Sequence, residues 1–144
     1  MRRTPIFEND FFQVMRHEEE PIVVVVRSSK PFQSPNDIAR AFSPMLVALD
    51  VLGRREHYLL LDSRDAVGNN DPAYEASFAD FRRRLFVGFP KTAVLVRTPA
   101  GRLHSRRLMG EHVEPERAGV FTDPILALAS LRAAIRRSTP PRSR

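Results

Sequence analysis

Two short apolar runs dominate the pattern of this chain, Ile22–Val26 and Tyr58–Leu61, each closed by a charged residue, Arg27 and Asp62. Four consecutive valines, Val23 to Val26, leave no polar face. A half-exposed strand would alternate, so this run predicts a strand buried on both sides. Phe11–Arg16 (FFQVMR) predicts an earlier strand. The polar link His17-Glu18-Glu19-Glu20 makes the two an antiparallel hairpin. Residues 1–9 read as a loose arm.

The spacing then changes to a helical period. Ser34-Pro35-Asn36-Asp37 has the grammar of a helix start, with a capping residue, proline at the first position and an acid in the first turn. Ile38, Phe42, Met45, Leu46, Leu49 and Leu52 follow on one face, and Gly53 ends the run. Pro44 inside it should kink the helix or divide it in two. His57–Asp62 predicts the central strand. Asp71-Pro72 opens a second helix, with Tyr74, Phe78, Phe81 and Leu85 on one face and Arg82, Arg83 and Arg84 mostly on the other.

Lys91–Thr98 (KTAVLVRT) predicts a further buried strand, and residues 101–111 a short helix with Leu103, Arg107 and Met109. Gly119–Phe121 reads as a short last strand. Thr122-Asp123-Pro124 caps a final helix carrying Leu128, Leu131 and Ile135. Thr139–Arg144 has too much proline to continue it and reads as a disordered basic tail. The resulting order is β-β-α-β-α-β-α-β-α. Strands separated by helices pair in parallel through right-handed crossovers, which predicts an α/β mixed sheet with an N-terminal antiparallel hairpin and helices packed on it. Residues 1–138 are expected to form one domain.

That order, and the residues at its centre, resemble the STAS superfamily, the SpoIIAA-like anti-sigma-factor antagonists and their relatives. The resemblance is carried by the hairpin, the strand Tyr58-Leu-Leu-Leu-Asp62, the helix entry Asn70-Asp71-Pro72, the strand Ala93-Val-Leu-Val96, and Phe121-Thr-Asp-Pro124 before a helix with Ala127 and Leu128. It covers roughly residues 10–136. Antagonists of this type carry a phosphorylatable Ser or Thr where the loop after the central strand meets the next helix, because an anion there is favoured by free amides and the helix dipole. Here Asn70, Asp71 and Pro72 occupy that position, without a hydroxyl. The resemblance therefore implies no kinase partner. Asp71 either mimics the phosphorylated form or only caps the helix.

Composition narrows the chemistry. The 144 residues include no cysteine, which excludes disulfides, thiolate metal sites and a Cys nucleophile. The net charge of +6 is carried by 23 basic residues, of which only Lys30 and Lys91 are lysines. Such a skew points to a GC-rich genome more economically than to phosphate recognition. Arg132, Arg136, Arg137, Arg142 and Arg144 lie near the C-terminus with no acid among them; without these five the body is nearly balanced. The apolar runs are too short to cross a bilayer, and Met1-Arg-Arg-Thr-Pro5 is followed by no secretory core. A cytoplasmic protein without membrane attachment is expected.

No catalytic set emerges. Asp62 stands where receiver domains place a phospho-accepting Asp, but the early strands end in Arg16 and Arg27 rather than an acidic pair, and no lysine follows the last strand. Asp62 is expected to accept backbone amides of its loop, with Asp65 solvated nearby. Gly68-Asn69-Asn70 could cradle an anion but lacks the glycines and lysine of phosphate loops and reads as a turn. His17, His57, His104 and His112 form no i, i+4 pair, so no metal site is expected. Ser63, Ser77 and Ser105 lie in no nucleophile motif. No cofactor is expected.

What remains is a surface. The loop 62–72 and the segment 98–107 both follow parallel strands and should emerge at one end of the sheet, where α/β proteins meet ligands and partners. The candidate interaction rim comprises Asp62, Asn69, Asn70, Asp71, Tyr74, Arg83, Thr98, Arg102 and Arg106. The leading expectation is a non-catalytic regulatory or scaffold domain that binds another protein. Nucleic-acid or polyanion binding through arginine clusters (Arg54-Arg55, Arg82–Arg84, Arg102 with Arg106-Arg107) and the tail is an alternative, as is a small-ligand or enzyme site at the strand ends. An N-terminal edge strand leaves self-association open.

Overall fold

The Ile22–Arg27 run forms a strand with Val23 and Val25 on one face and Ile22 and Val24 on the other, all sealed from solvent. Around it a computed structural model, which describes residues 2–67, 72–110 and 117–138, builds a six-stranded sheet. Its strands are β1 (Arg3–Glu8), β2 (Phe12–His17), β3 (Ile22–Arg27), β4 (Tyr58–Asp62), β5 (Thr92–Leu95) and β6 (Ala118–Phe121), in sequential spatial order. The first three are antiparallel, and β3 to β6 run parallel. Helices α1 (Pro35–Leu52), α2 (Pro72–Phe86) and α3 (Pro99–Gly110) connect the parallel strands, and α4 (Pro124–Ser138) follows the last. The expected α/β mixed sheet with an antiparallel N-terminal part is what forms.

One expectation fails at the N-terminus. The stretch taken as a loose arm is strand β1, paired with β2 from Arg3↔His17 to Glu8↔Gln13, with an irregularity between Pro5 and Phe7. Its residues are mostly exposed, so it has no apolar alternation by which to be read. The Asn9 side chain holds the turn into β2, accepting the Phe11 and Phe12 amides and donating to the Ala41 carbonyl.

Two apolar layers flank the sheet. On one face Phe12, Val14, Val23, Val25, Leu59, Leu61 and Val94 pack against α1 and α2 through Ile38, Met45, Leu49, Leu85 and Phe86. On the other, Ile22, Val24, Tyr58, Leu60 and Ala93 meet α4 through Ala127 and Leu131. Helix α1 stays one element across Pro44, so of the two expected outcomes, a kink or a division, the division does not occur. Its start is closed by the Asp37 carboxylate accepting the Gln33 amide rather than by the Ser34 hydroxyl. Gly53 takes a φ of 101° and returns its amide to the Leu49 carbonyl, a conformation that favours glycine. Helix α3 begins at Pro99, two residues before the expected start. The tail 139–144 lies outside the described residues.

Glu20, in the β2–β3 turn, fastens α4 across the sheet. Arg132 donates from Nε and Nη2 to both its carboxylate oxygens at 2.9–3.2 Å, and these bonds hold the Glu20 carboxyl below its usual range. Beside it His17 is fully buried, and among the described residues neither ring nitrogen has a hydrogen-bond partner. Burial and the charges of Arg3 and Arg132 push its pKa below 6.5, and the Glu20 carboxylate, 3.8 Å from Nδ1, only partly opposes them. In the unfolded chain the imidazole protonates near 6.5, before the native one does, so stability falls as the pH drops below that value. Urea denaturation at pH 7.5 and 5.5 should show this loss in the wild type and a smaller one in His17→Leu. An equal loss in both would assign the pH dependence to other groups.

Candidate functional site

The parallel strands all end at one pole, and the loops that leave them meet there. After β4 the chain turns through Ser63–Val67, and after β5 through Val96–Thr98. Arg97 joins them, donating from Nη2 to Asp65 Oδ1 at 2.6 Å and from Nε to the Arg64 carbonyl at 2.9 Å. The two bends therefore emerge side by side, and Asp65, expected to be only solvated, is ion-paired. Asp62 accepts the Arg64 amide and two bonds from its guanidinium. Burial alone would raise the Asp62 carboxyl, but these bonds and the Arg64 charge outweigh it and hold it below the usual range. The carboxylate is thus ionised and bound by its neighbour two residues on.

The rest of the expected rim divides. Thr98 caps α3, its hydroxyl accepting the Gly101 amide at 3.0 Å. Arg102 donates to the Val120 carbonyl on edge strand β6. Arg106 and Leu103 are exposed on α3. Tyr74 packs against the apolar layer of α1 and α2. Arg83 does not belong to the rim: it lies in the last turn of α2, ion-paired to Asp80. That end of α2 is where Arg54, just before β4, donates to the carbonyls of Arg84, Leu85 and Val87, so Arg83 sits at the opposite pole. Asn69, Asn70 and Asp71 lie outside the described residues.

Beneath the loop Ser63–Val67 is a half-open cavity of about 180 Å³ between the sheet and α2. Arg27 lines it from the end of β3, and Phe12, Phe32, Phe42 and Phe78 wall it. Arg27 is 6% exposed, and its guanidinium lies 4.3 Å over the Phe32 ring. It donates from Nη1 to the Ser28 carbonyl and from Nη2 to the Lys30 carbonyl, both at 2.6 Å. Among the described residues no carboxylate faces it, and burial pulls its pKa down to about 10. Arg82, also in the wall, is paired with Glu75 at 3.2 Å. Sequence reasoning used Arg27 only as a strand end. The available signal was a charge closing a strand whose preceding residues have no exposed face.

Three more arginines of the expected clusters are paired within the molecule, Arg54 with Asp50 and both Arg83 and Arg84 with Asp80, as is Arg64 with Asp62. Among the described residues no three His, Asp or Glu side chains converge as a metal site. Nor, among them, is any helix long and apolar enough to cross a membrane.

A mixed sheet of this order, hairpin first and helix-linked parallel strands after, is a SpoIIAA-like fold. The chain superposes with a TM-score of 0.61 on a crystal structure from Shewanella loihica PV-4, an uncharacterised protein from the DUF3478 family with a SpoIIAA-like fold. The match covers 90% of this chain and 94% of the other at 13% identity, which shows the fold alone. No family model and no curated protein matches the sequence.

Proposed function

We propose that this protein is a non-catalytic regulatory or scaffold domain of the cytoplasm that binds another protein through the pole where the parallel strands end. The observation that carries this reading is the Arg97–Asp65 pair, which ties the two strand-end loops into one surface continuous with α3. A SpoIIAA-like fold is typically non-catalytic, and Asp62 is held by Arg64 instead of being presented to a reactant. Exposed Leu103, Arg106 and Val67 give this pole apolar and cationic groups together, the composition of a protein contact more than of a phosphate-binding face. Polyanion binding draws less support, because so many arginines are already paired with carboxylates.

The test is affinity purification from the native host with mass spectrometry, using the double variant Leu103→Asp/Arg106→Glu. Neither side chain is part of the core, so the fold should persist. Partners recovered with the wild type should be lost from this variant and retained by Arg83→Glu at the far pole. Identical partner sets for all three proteins would move the working surface elsewhere.

A further inference from the structure

A buried guanidinium without a counter-ion is costly, and proteins normally pair it or leave it in water. Arg27 has neither arrangement. Its Nη groups hold the Ser28 and Lys30 carbonyls, while its Nε finds no acceptor among the described residues. Among those residues the sealed, unpartnered side-chain polar atoms are the His17 ring nitrogens, so Nε of Arg27 remains reachable. The space it reaches is the cavity it lines.

Two more groups there lack partners. Ser63 at the loop and Ser105 on α3 both line the cavity, and neither hydroxyl makes a hydrogen bond among the described residues. Apart from Arg82, which is held by Glu75, the remaining wall is apolar, with five phenylalanine rings and with Leu61 and Val94 from the sheet. The rings pack on one another, Phe32 against Phe78 at 5.3 Å and Phe12 against Phe42 at 4.8 Å, so the pocket is preformed.

We propose that this cavity binds a small monocarboxylate with a single aromatic ring or an apolar body of similar size, its carboxylate on Arg27 and its body among Phe32, Phe42 and Phe78. One uncompensated guanidinium matches one negative charge. Arg82, the other cation in the wall, already has a carboxylate partner in Glu75, and a phosphate would gain nothing from phenyl walls. The size agrees: an apolar cavity of about 150 Å³ holds a benzene ring, and this one measures about 180 Å³. Burial already weakens the proton affinity of Arg27, and a bound anion would reverse that trend. This inference is independent of the protein-contact reading, although the Ser63–Val67 loop borders both places.

Isothermal titration of the full chain with phenylacetate tests it, with phenylacetamide and inorganic phosphate as comparisons. Phenylacetate should bind saturably, and the amide, equal in shape but uncharged, about tenfold or more weakly. Phosphate should give no saturable heat. Ser105→Phe, which fills the cavity from α3 and leaves Arg27 itself unchanged, should abolish phenylacetate binding while leaving the thermal midpoint close to wild type. Arg27→Met should do the same to affinity if it folds, but the amide comparison and Ser105→Phe decide the matter without it. Equal affinities for acid and amide, phosphate binding as tight as phenylacetate, or unchanged binding in Ser105→Phe would each overturn the assignment.

Discussion

Arg27→Ala is expected to lower folding stability by about 3 kcal/mol, which for a chain of this length is roughly 6–12 °C in the thermal midpoint. The guanidinium holds two carbonyls of the segment after β3, each at 2.6 Å, and lies over the Phe32 ring. Truncation removes both charge-assisted bonds and opens space beside Phe12 and Phe42. Opposing this, the variant no longer buries a charge without a counter-ion, which restores part of the loss. Arg27→Met separates these contributions, because it keeps an unbranched apolar stem in place and removes the guanidinium with its donors and charge. Its cost should be smaller, about 1–2 kcal/mol. Urea denaturation at pH 7 measures both. If neither variant loses stability, the Ser28 and Lys30 carbonyls have found water, and the guanidinium does not organise this segment.

The strands were legible where burial left no polar face to confuse the reading. Tyr58–Asp62 and Ile22–Arg27 are core to both apolar layers, and their runs announce it. Helix starts were legible for local reasons, as at Asp123, whose carboxylate accepts the Ile125 amide at 2.9 Å. Strand β1 was not, because RTPIFE lies on an edge and is ordered by its hydrogen bonds to β2, which no side-chain pattern records. The rim was half legible. Chain direction alone brings the ends of β4 and β5 together, and Asp65–Arg97 follows from that closeness. Arg83 was misplaced because eleven residues of helix, about 16 Å of rise, separate it from the start of α2 at Pro72.

The Arg27 cavity was the least legible feature, and for a physical reason. Its walls come from β2, the segment after β3, α1 and α2, so Phe12, Phe32, Phe42 and Phe78 become neighbours only through tertiary packing. In one dimension each is an ordinary core phenylalanine. Arg27 likewise reads as a charge that ends a strand, since nothing local says that the Phe32 ring folds back over it. Pairing partners told the same story elsewhere: arginines that looked like a solvated cluster in Arg82–Arg84 divide between Glu75 and Asp80 once the helix is wound.

Leu131→Ala should cost about 3–4 kcal/mol, because among the described residues one helix, α4, covers the face it serves. Ile22, Val24, Tyr58, Leu60 and Ala93 are shielded by α4, whose fully buried side chains are Ala127 and Leu131. Two polar ties hold that helix as well, Arg132 to Glu20 and the Tyr58 hydroxyl to Ser138 Oγ at 2.7 Å. Both are polar and cannot replace the apolar contact that Leu131 makes in this layer. Leu126→Ala, a residue 57% exposed on the same helix, is the matched control and should stay within about 0.5 kcal/mol of wild type. Amide exchange should show the Leu131 variant losing protection first along α4, with α1 and α2 still protected. Since α4 and the cavity lie on opposite faces of the sheet, phenylacetate affinity should survive the substitution below the unfolding transition. Equal stability of the two leucine variants would mean that the second apolar layer is held by something other than α4, and the two-layer account of this fold would fail there.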